Sequence, residues 1–121
     1  METLLHTTIH TPSAEQRPWG SFIKFADNEK VTVKIITIYA GQEFSLQSHQ
    51  HRDEFWHVIS GDGTVIIGDV SSALVVGGNY EIPVDTKHRI KAGIQDAVIM
   101  EISRGEFDEH DITRFEDDYG R

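Results

Sequence analysis

Three observations predict an all-β domain, an antiparallel sandwich or barrel. Apolar and β-branched residues recur at strand spacing, glycine-rich turn signals separate them at short intervals, and residues 22–103 carry no amphipathic helical pattern. The first strand reads at 31–39, Val-Thr-Val-Lys-Ile-Ile-Thr-Ile-Tyr, where β-branched side chains suit a pleated, half-buried surface. Ala40 and Gly41 close it. Further strands read at 55–59, 64–67, 73–76 and 97–102, and turns at Ser60-Gly-Asp-Gly63, Gly68-Asp69, Gly77-Gly-Asn79, Pro83-Val-Asp85 and Ala92-Gly93. Residues 1–16 are polar and threonine-rich, which suits an N-terminal arm or a docked edge strand. Residues 105–121 are acidic, with a short helical turn expected near 108–113.

Composition narrows the functional classes. The 121 residues suffice for one real core, and no repeat, linker or second domain interrupts them. Without cysteine there is neither a disulfide nor a thiolate metal site, so nitrogen and oxygen must hold any metal. A formal net charge of -9, with 11 Lys and Arg against 20 Asp and Glu, argues against nucleic acid and anionic membrane as partners. A phosphorylated small molecule remains compatible, because a pocket needs only two or three local cations. Residues 1–16 lack a basic start followed by an apolar stretch, and no apolar run approaches bilayer length. A cytoplasmic protein is the expectation.

The middle of the chain concentrates donors. If residues 45–51 are extended, alternation puts Gln47, His49 and His51 on one face. In the next strand Glu54 shares a face with Trp56 and Val58, and a hairpin at Arg52-Asp53 brings its carboxylate beside His49. Gln50, Arg52 and Phe55 are expected to face outward or to lie at the turn. His88, just after the Pro83 turn and before a strand, would add a fourth donor from a distant part of the chain. Such convergence is what a divalent ion requires, since several ligands must meet it at about 2.0 to 2.3 Å to offset its lost water shell.

The spacing carries a resemblance. Gly41, five residues, Gln47, one residue, His49, four residues, Glu54, six residues, Gly61 is similar to the first motif of the cupin superfamily, with glutamine for its first histidine. Gly77, five residues, Pro83 and then Thr86-Lys87-His88 resembles the second motif, with Asp85 where glycine is usual and Ala92 where asparagine is usual. Gln-x-His, together with Arg17-Pro-Trp-Gly20, Val33-Lys-Ile-Ile36, Trp56, Val58-Ile-Ser-Gly61, Ile82-Pro83, His88-Arg89 and the run from Arg114 to Arg121, resembles the cupin domain of type II mannose-6-phosphate isomerases. That domain often ends bifunctional enzymes that also carry a guanylyltransferase; no nucleotide-binding loop precedes it here, so GDP-mannose synthesis is not expected. Residues 17–121 would form the cupin domain, a double-stranded β-helix or jelly-roll barrel, after an arm at 1–16.

The resemblance implies a ligand set of Gln47, His49, Glu54 and His88, holding one divalent ion: zinc, manganese, cobalt, nickel or iron. The implied reaction interconverts mannose 6-phosphate and fructose 6-phosphate, which demands stabilisation of an enediol's negative charge and an acid/base group at C1 and C2. His51, Glu101 and a metal-bound water are the acid/base candidates. Lys34, Arg52, Lys87, Arg104 and Arg114 are available for the 6-phosphate or the reacting centre, with Lys34 and Arg114 foremost because their segments match the family. His57 is expected to face away from the site, and Arg89 away from His88. A homodimer is the further expectation from the resemblance. The same fold could instead serve another sugar isomerase or epimerase, an iron dioxygenase, which Gln47 in place of a histidine disfavours, or a non-catalytic sugar- or effector-binding cupin. The last reading draws on Asp85, Ala92, and Phe55 where the family tends to have histidine.

Overall fold

The computed structural model describes residues 12–121, and its regular elements are strands. In chain order they are β1 (Ser13–Arg17), β2 (Gly20–Lys24), β3 (Val31–Ile38), β4 (Leu46–Ser48), β5 (Arg52–Ser60), β6 (Gly63–Ile67), β7 (Val70–Ala73), β8 (Asn79–Ile82), β9 (His88–Ala92), β10 (Ala97–Gly105) and β11 (Thr113–Glu116). The chain divides into two compact units, Met1–Lys30 and Val31–Arg121. Within the first, β1 and β2 form an antiparallel hairpin, from Arg17↔Gly20 at the turn to Ser13↔Lys24. Much of the expected arm, up to residue 11, lies outside the described residues.

The second unit holds two antiparallel sheets, one ordered β3-β10-β5-β8 and the other β11-β4-β9-β6-β7. Their inner faces share one core: Ile38, Trp56, Val58, Ile82, Ala97 and Ile99 from the first sheet meet Val65, Ile90 and Ala92 from the second, with Leu74 between. The all-β jelly-roll expected from the sequence is the architecture found. Alternation fixes what faces inward. In β5 the buried residues Glu54, Trp56 and Val58 share one face with Arg52. In β10 Ala97, Ile99, Glu101 and Ser103 do the same. The register places Glu101 between Lys34 on β3 and Trp56 on β5. Core residues thus occupy one end of these inner faces, and polar groups the other.

Backbone geometry seals the crossing from β5 to β6, which lie in different sheets. Gly61 sits at φ 102°, and a Cβ there would run into the carbonyl oxygen of Asp96, so only glycine lets the two loops approach.

Five expectations need correction. The hairpin expected at Arg52-Asp53 does not form, because β4 joins the five-stranded sheet and β5 the four-stranded one. Phe55, expected outward or at the turn, lies within β5 and is buried at 3% exposure. The strand expected at 73–76 is β7, Val70–Ala73, because a two-residue turn at Gly68-Asp69 starts the return immediately and pairs Ile67 with Val70. The helical turn expected at 108–113 is absent: a bend closed by Asp111 N donating to Asp108 O leads into β11, which pairs with β4. Arg52, expected outward or at the turn, is buried at 7% exposure, because the alternation that aims Glu54 inward aims residue 52 inward too. Among the described residues, no helix is long and apolar enough to cross a membrane.

Candidate metal centre

Two short strands and one long one bring the donors together. β4 carries Gln47, with His49 one residue beyond its end; β9 begins at His88; β5 carries Glu54. Gln47 pairs directly with His88 across β4 and β9. His49, Glu54 and His88 each offer a ligand atom, and these atoms lie within 4.8 Å of one another. All three are buried, at 3%, 3% and 1% exposure. The imidazole rings of His49 and His88 tilt toward each other with centroids 4.9 Å apart.

The hydrogen bonds around these rings select one tautomer. His49 Nδ1 donates to the carbonyl of Asp111 at 2.7 Å, and His88 Nδ1 donates to the carbonyl of Thr86 at 2.8 Å. A carbonyl only accepts, so the hydrogen sits on Nδ1 and the Nε2 lone pairs turn toward Glu54, whose carboxylate lies 3.5 Å from one and 3.4 Å from the other. Backbone carbonyls holding the far nitrogen are the usual way proteins orient metal-binding histidines. Glu54 Oε1 and His88 Nε2 are buried without a hydrogen-bond partner among the described residues. Two imidazole nitrogens and a carboxylate oxygen, with two atoms left unsatisfied, fit a divalent ion and make a group that could hold one. Gln47 Oε1 accepts from Ser45 Oγ at 3.0 Å and keeps a second lone pair.

The charges respond to this packing. Burial is the strongest influence on Glu54 and opposes ionisation; protonated His88 and His49 and the hydrogen bond from Arg52 lower its pKa, and with both Nε2 atoms unprotonated Arg52 alone of the three donates to the carboxylate. Burial lowers the pKa of His49, keeping the ring neutral. Glu101 goes the other way: burial first, then the charge of Glu54, push it up to about 7. Its Oε2 accepts from Trp56 Nε1 at 3.1 Å.

A cavity of about 290 Å³ opens beside these donors. Gln47, His49, Glu54 and Glu101 line it together with Lys34, Arg52, Arg114 and Arg121. Arg52 and Lys34 both stack on Phe107, their charged groups 4.4 and 4.5 Å from the ring centroid. The expected candidates therefore separate. Lys34, Arg52, Glu101 and Arg114 line this cavity, whereas His51 is exposed and lines a different one with His110 and Asp111. Lys87 is exposed and lies over Phe115, and Arg104 belongs to the opposite face of β10 from Glu101. His57 Nδ1 lies 2.7 Å from Asn79 Oδ1, on the opposite face of β5 from Glu54. Arg89 is clamped to Phe44 O and Glu116, on the opposite face of β9 from His88.

Arg121, Phe107 and Asp111 were not anticipated. Arg121 lies within a run that matches the type II isomerases, which was its only signal. Asp111 had none, since its contribution to His49 is a backbone carbonyl.

Residues 3–117 match the family described as mannose-6-phosphate isomerase, C-terminal. The chain belongs to this family. Two curated relatives of this mannose-6-phosphate isomerase C-terminal domain are bacterial proteins. It is 39% identical over 107 residues to the xanthan biosynthesis protein XanB of Xanthomonas campestris, a stretch that is 87% of this chain and 23% of that protein. It is 35% identical over 107 residues to the mannose-1-phosphate guanylyltransferase ManC of Salmonella typhimurium, covering 87% of this chain and 22% of that protein. The chain thus spans less than a quarter of the length of these relatives. Among solved structures, a Klebsiella pneumoniae protein with a double-stranded β-helix domain superposes with a TM-score of 0.63 at 18% identity, over 74% of this chain and 77% of that one. At that identity the likeness shows the fold, the double-stranded β-helix that cupins share.

Proposed function

We propose that this cupin is a metal-dependent sugar-phosphate isomerase that interconverts mannose 6-phosphate and fructose 6-phosphate. One observation carries the reading: His49 and Glu54 of the prospective metal-binding group, a carboxylic acid with its pKa near 7 and four cationic side chains share one cavity. Each part answers a demand of the reaction. His49, Glu54 and His88, with Gln47, would hold the ion; when bound, it polarises the sugar carbonyl and stabilises negative charge on the adjacent oxygens. Lys34, Arg114 and Arg121 bind the 6-phosphate, a dianion that a wall of cations attracts. Glu101 takes the proton from C2 of mannose 6-phosphate and returns it to C1 while the O2 hydroxyl proton passes to O1, leaving fructose 6-phosphate. A group that titrates near neutrality is suited to give and accept a proton at physiological pH. Trp56 fixes the Glu101 carboxyl by its indole N–H, so that the proton moves at the other oxygen.

Metal-loaded protein given mannose 6-phosphate should form fructose 6-phosphate, detected by a coupled assay. Glu101→Gln should lower kcat while leaving metal content intact, and Gln47→Ala and His88→Ala should lose metal and turnover together. Tight metal binding without turnover of the sugar phosphate would overturn the isomerase and leave a non-catalytic binding cupin.

A further inference from the structure

The guanidinium of Arg52 touches the same atoms that the ion would use. Its Nη2 lies 3.2 Å from His49 Nε2, and its Nε donates to Glu54 Oε2 at 3.0 Å. Because His49 Nδ1 carries the hydrogen that Asp111 accepts, Nε2 has a single lone pair in the neutral ring. Arginine can only donate, so that lone pair is already engaged. It cannot serve Arg52 and a metal together. Glu54 is more accommodating, since Arg52 uses Oε2 while Oε1 stays unpartnered. The arginine is also not a loose surface chain. It is buried, its Nη1 donates to the carbonyl of Asp108 at 3.1 Å, and Phe107 packs beneath it.

We propose that Arg52 is a built-in competitor of the metal, holding His49 and Glu54 in place and setting the site's affinity below what its donors alone would give. The inference rests on the ligand set of the preceding reading. An entering ion must break the Arg52–His49 bond and then sit beside a buried positive charge. Both effects oppose binding. The displaced Nη2 opens onto the cavity shared with Lys34, Arg114 and Arg121, where an anion can receive it. Metal entry thereby also completes the cationic wall.

The sign of one measurement tests this. Chelator-treated protein is titrated with Co²⁺ against a competing chelator, following the absorption of the bound ion, for wild type, Arg52→Met, Arg52→Lys and His88→Ala. Loss of a charge-assisted hydrogen bond that competes with the metal should make Arg52→Met bind on the order of tenfold or more tightly. Arg52→Lys, which keeps a cation but not the reach to both donors, should fall between it and wild type, and His88→Ala should bind weakly. Damage to the fold would weaken binding, so tightening cannot arise from a disordered variant; if Arg52→Met fails to fold by circular dichroism, Arg52→Lys decides. Wild type that binds Co²⁺ no less tightly than both arginine variants would overturn the competition and leave the ligand set standing. No binding by either wild type or the arginine variants would overturn the ligand set and, with it, the inference.

Discussion

Glu101→Gln separates the electrostatics of the cavity from its packing. The two side chains have nearly the same shape, and glutamine can still accept from Trp56 Nε1, so the exchange removes a titration with little change in volume. Burial and the charge of Glu54 raise the Glu101 pKa from 4.5 to about 7. Because the folded carboxyl ionises later than the unfolded one, the folded state holds the extra proton between these values. Wild-type stability therefore falls as pH rises through that window, and the loss is complete above about pH 7. At 1.36 kcal/mol per unit, the wild type should lose about 3 kcal/mol that the glutamine variant keeps. That is a large share of the roughly 5 to 15 kcal/mol that holds a small domain together. Urea unfolding of both proteins with a chelator present, at intervals from pH 4 to pH 9, measures it. The difference in unfolding free energy should move in the variant's favour as pH rises and level off above neutrality. A difference that stays constant with pH would refute the raised pKa and deprive Glu101 of its proposed part in proton transfer.

Two further outcomes follow from other parts of the molecule. Ile99 is fully buried in the core shared by the two sheets, so Ile99→Ala should cost about 2 to 5 kcal/mol in urea unfolding without changing the residues that line the cavity. The Asp111 carboxylate accepts from the backbone N–H groups of Gln50 and His51, both at 2.9 Å, which pins its own carbonyl against His49; Asp111→Ala should weaken Co²⁺ binding about ten- to a hundredfold, measured by competition titration.

Much of the barrel is legible because its strands bury one face each. β3, β5, β6 and β10 announce themselves by β-branched residues in alternation, and the glycines between them mark the turns. β1, β2 and β11 escape the same reading because they are polar and largely exposed, so no hydrophobic period sets them apart from loop. The donors were legible for a different reason: a site at the end of a β-sheet inherits its spacing from the strands. Gln47 on β4 and Glu54 on β5 come from different sheets joined by a short crossing at residues 49–51, and with His49 they line one cavity. His51 departs because β4 ends at Ser48; beyond it the chain bends, and parity no longer predicts where side chains point. Arg52 points inward because the bend lies at residues 50–51, two residues before the expected turn, and β5 gives it the parity of Glu54. Lys87 and Arg104 show the limit of choosing cations by charge alone, since nothing in composition tells one face of a strand from the other.

The strand that carries Gln47 is three residues long and lies between β9 and β11, so Gln47 pairs with His88 on one side and with Arg114 on the other. A strand that short cannot hold its place by its own contacts. During synthesis, Gln47, His49 and Glu54 emerge well before His88, and β11 is later still. The nascent chain therefore displays unassembled donors until residues of both later strands have arrived. Pairings between such distant segments are slow to form. The order of events is thus built into the topology: Gln47, His49, Glu54 and His88 converge only once β4 has paired with both β9 and β11.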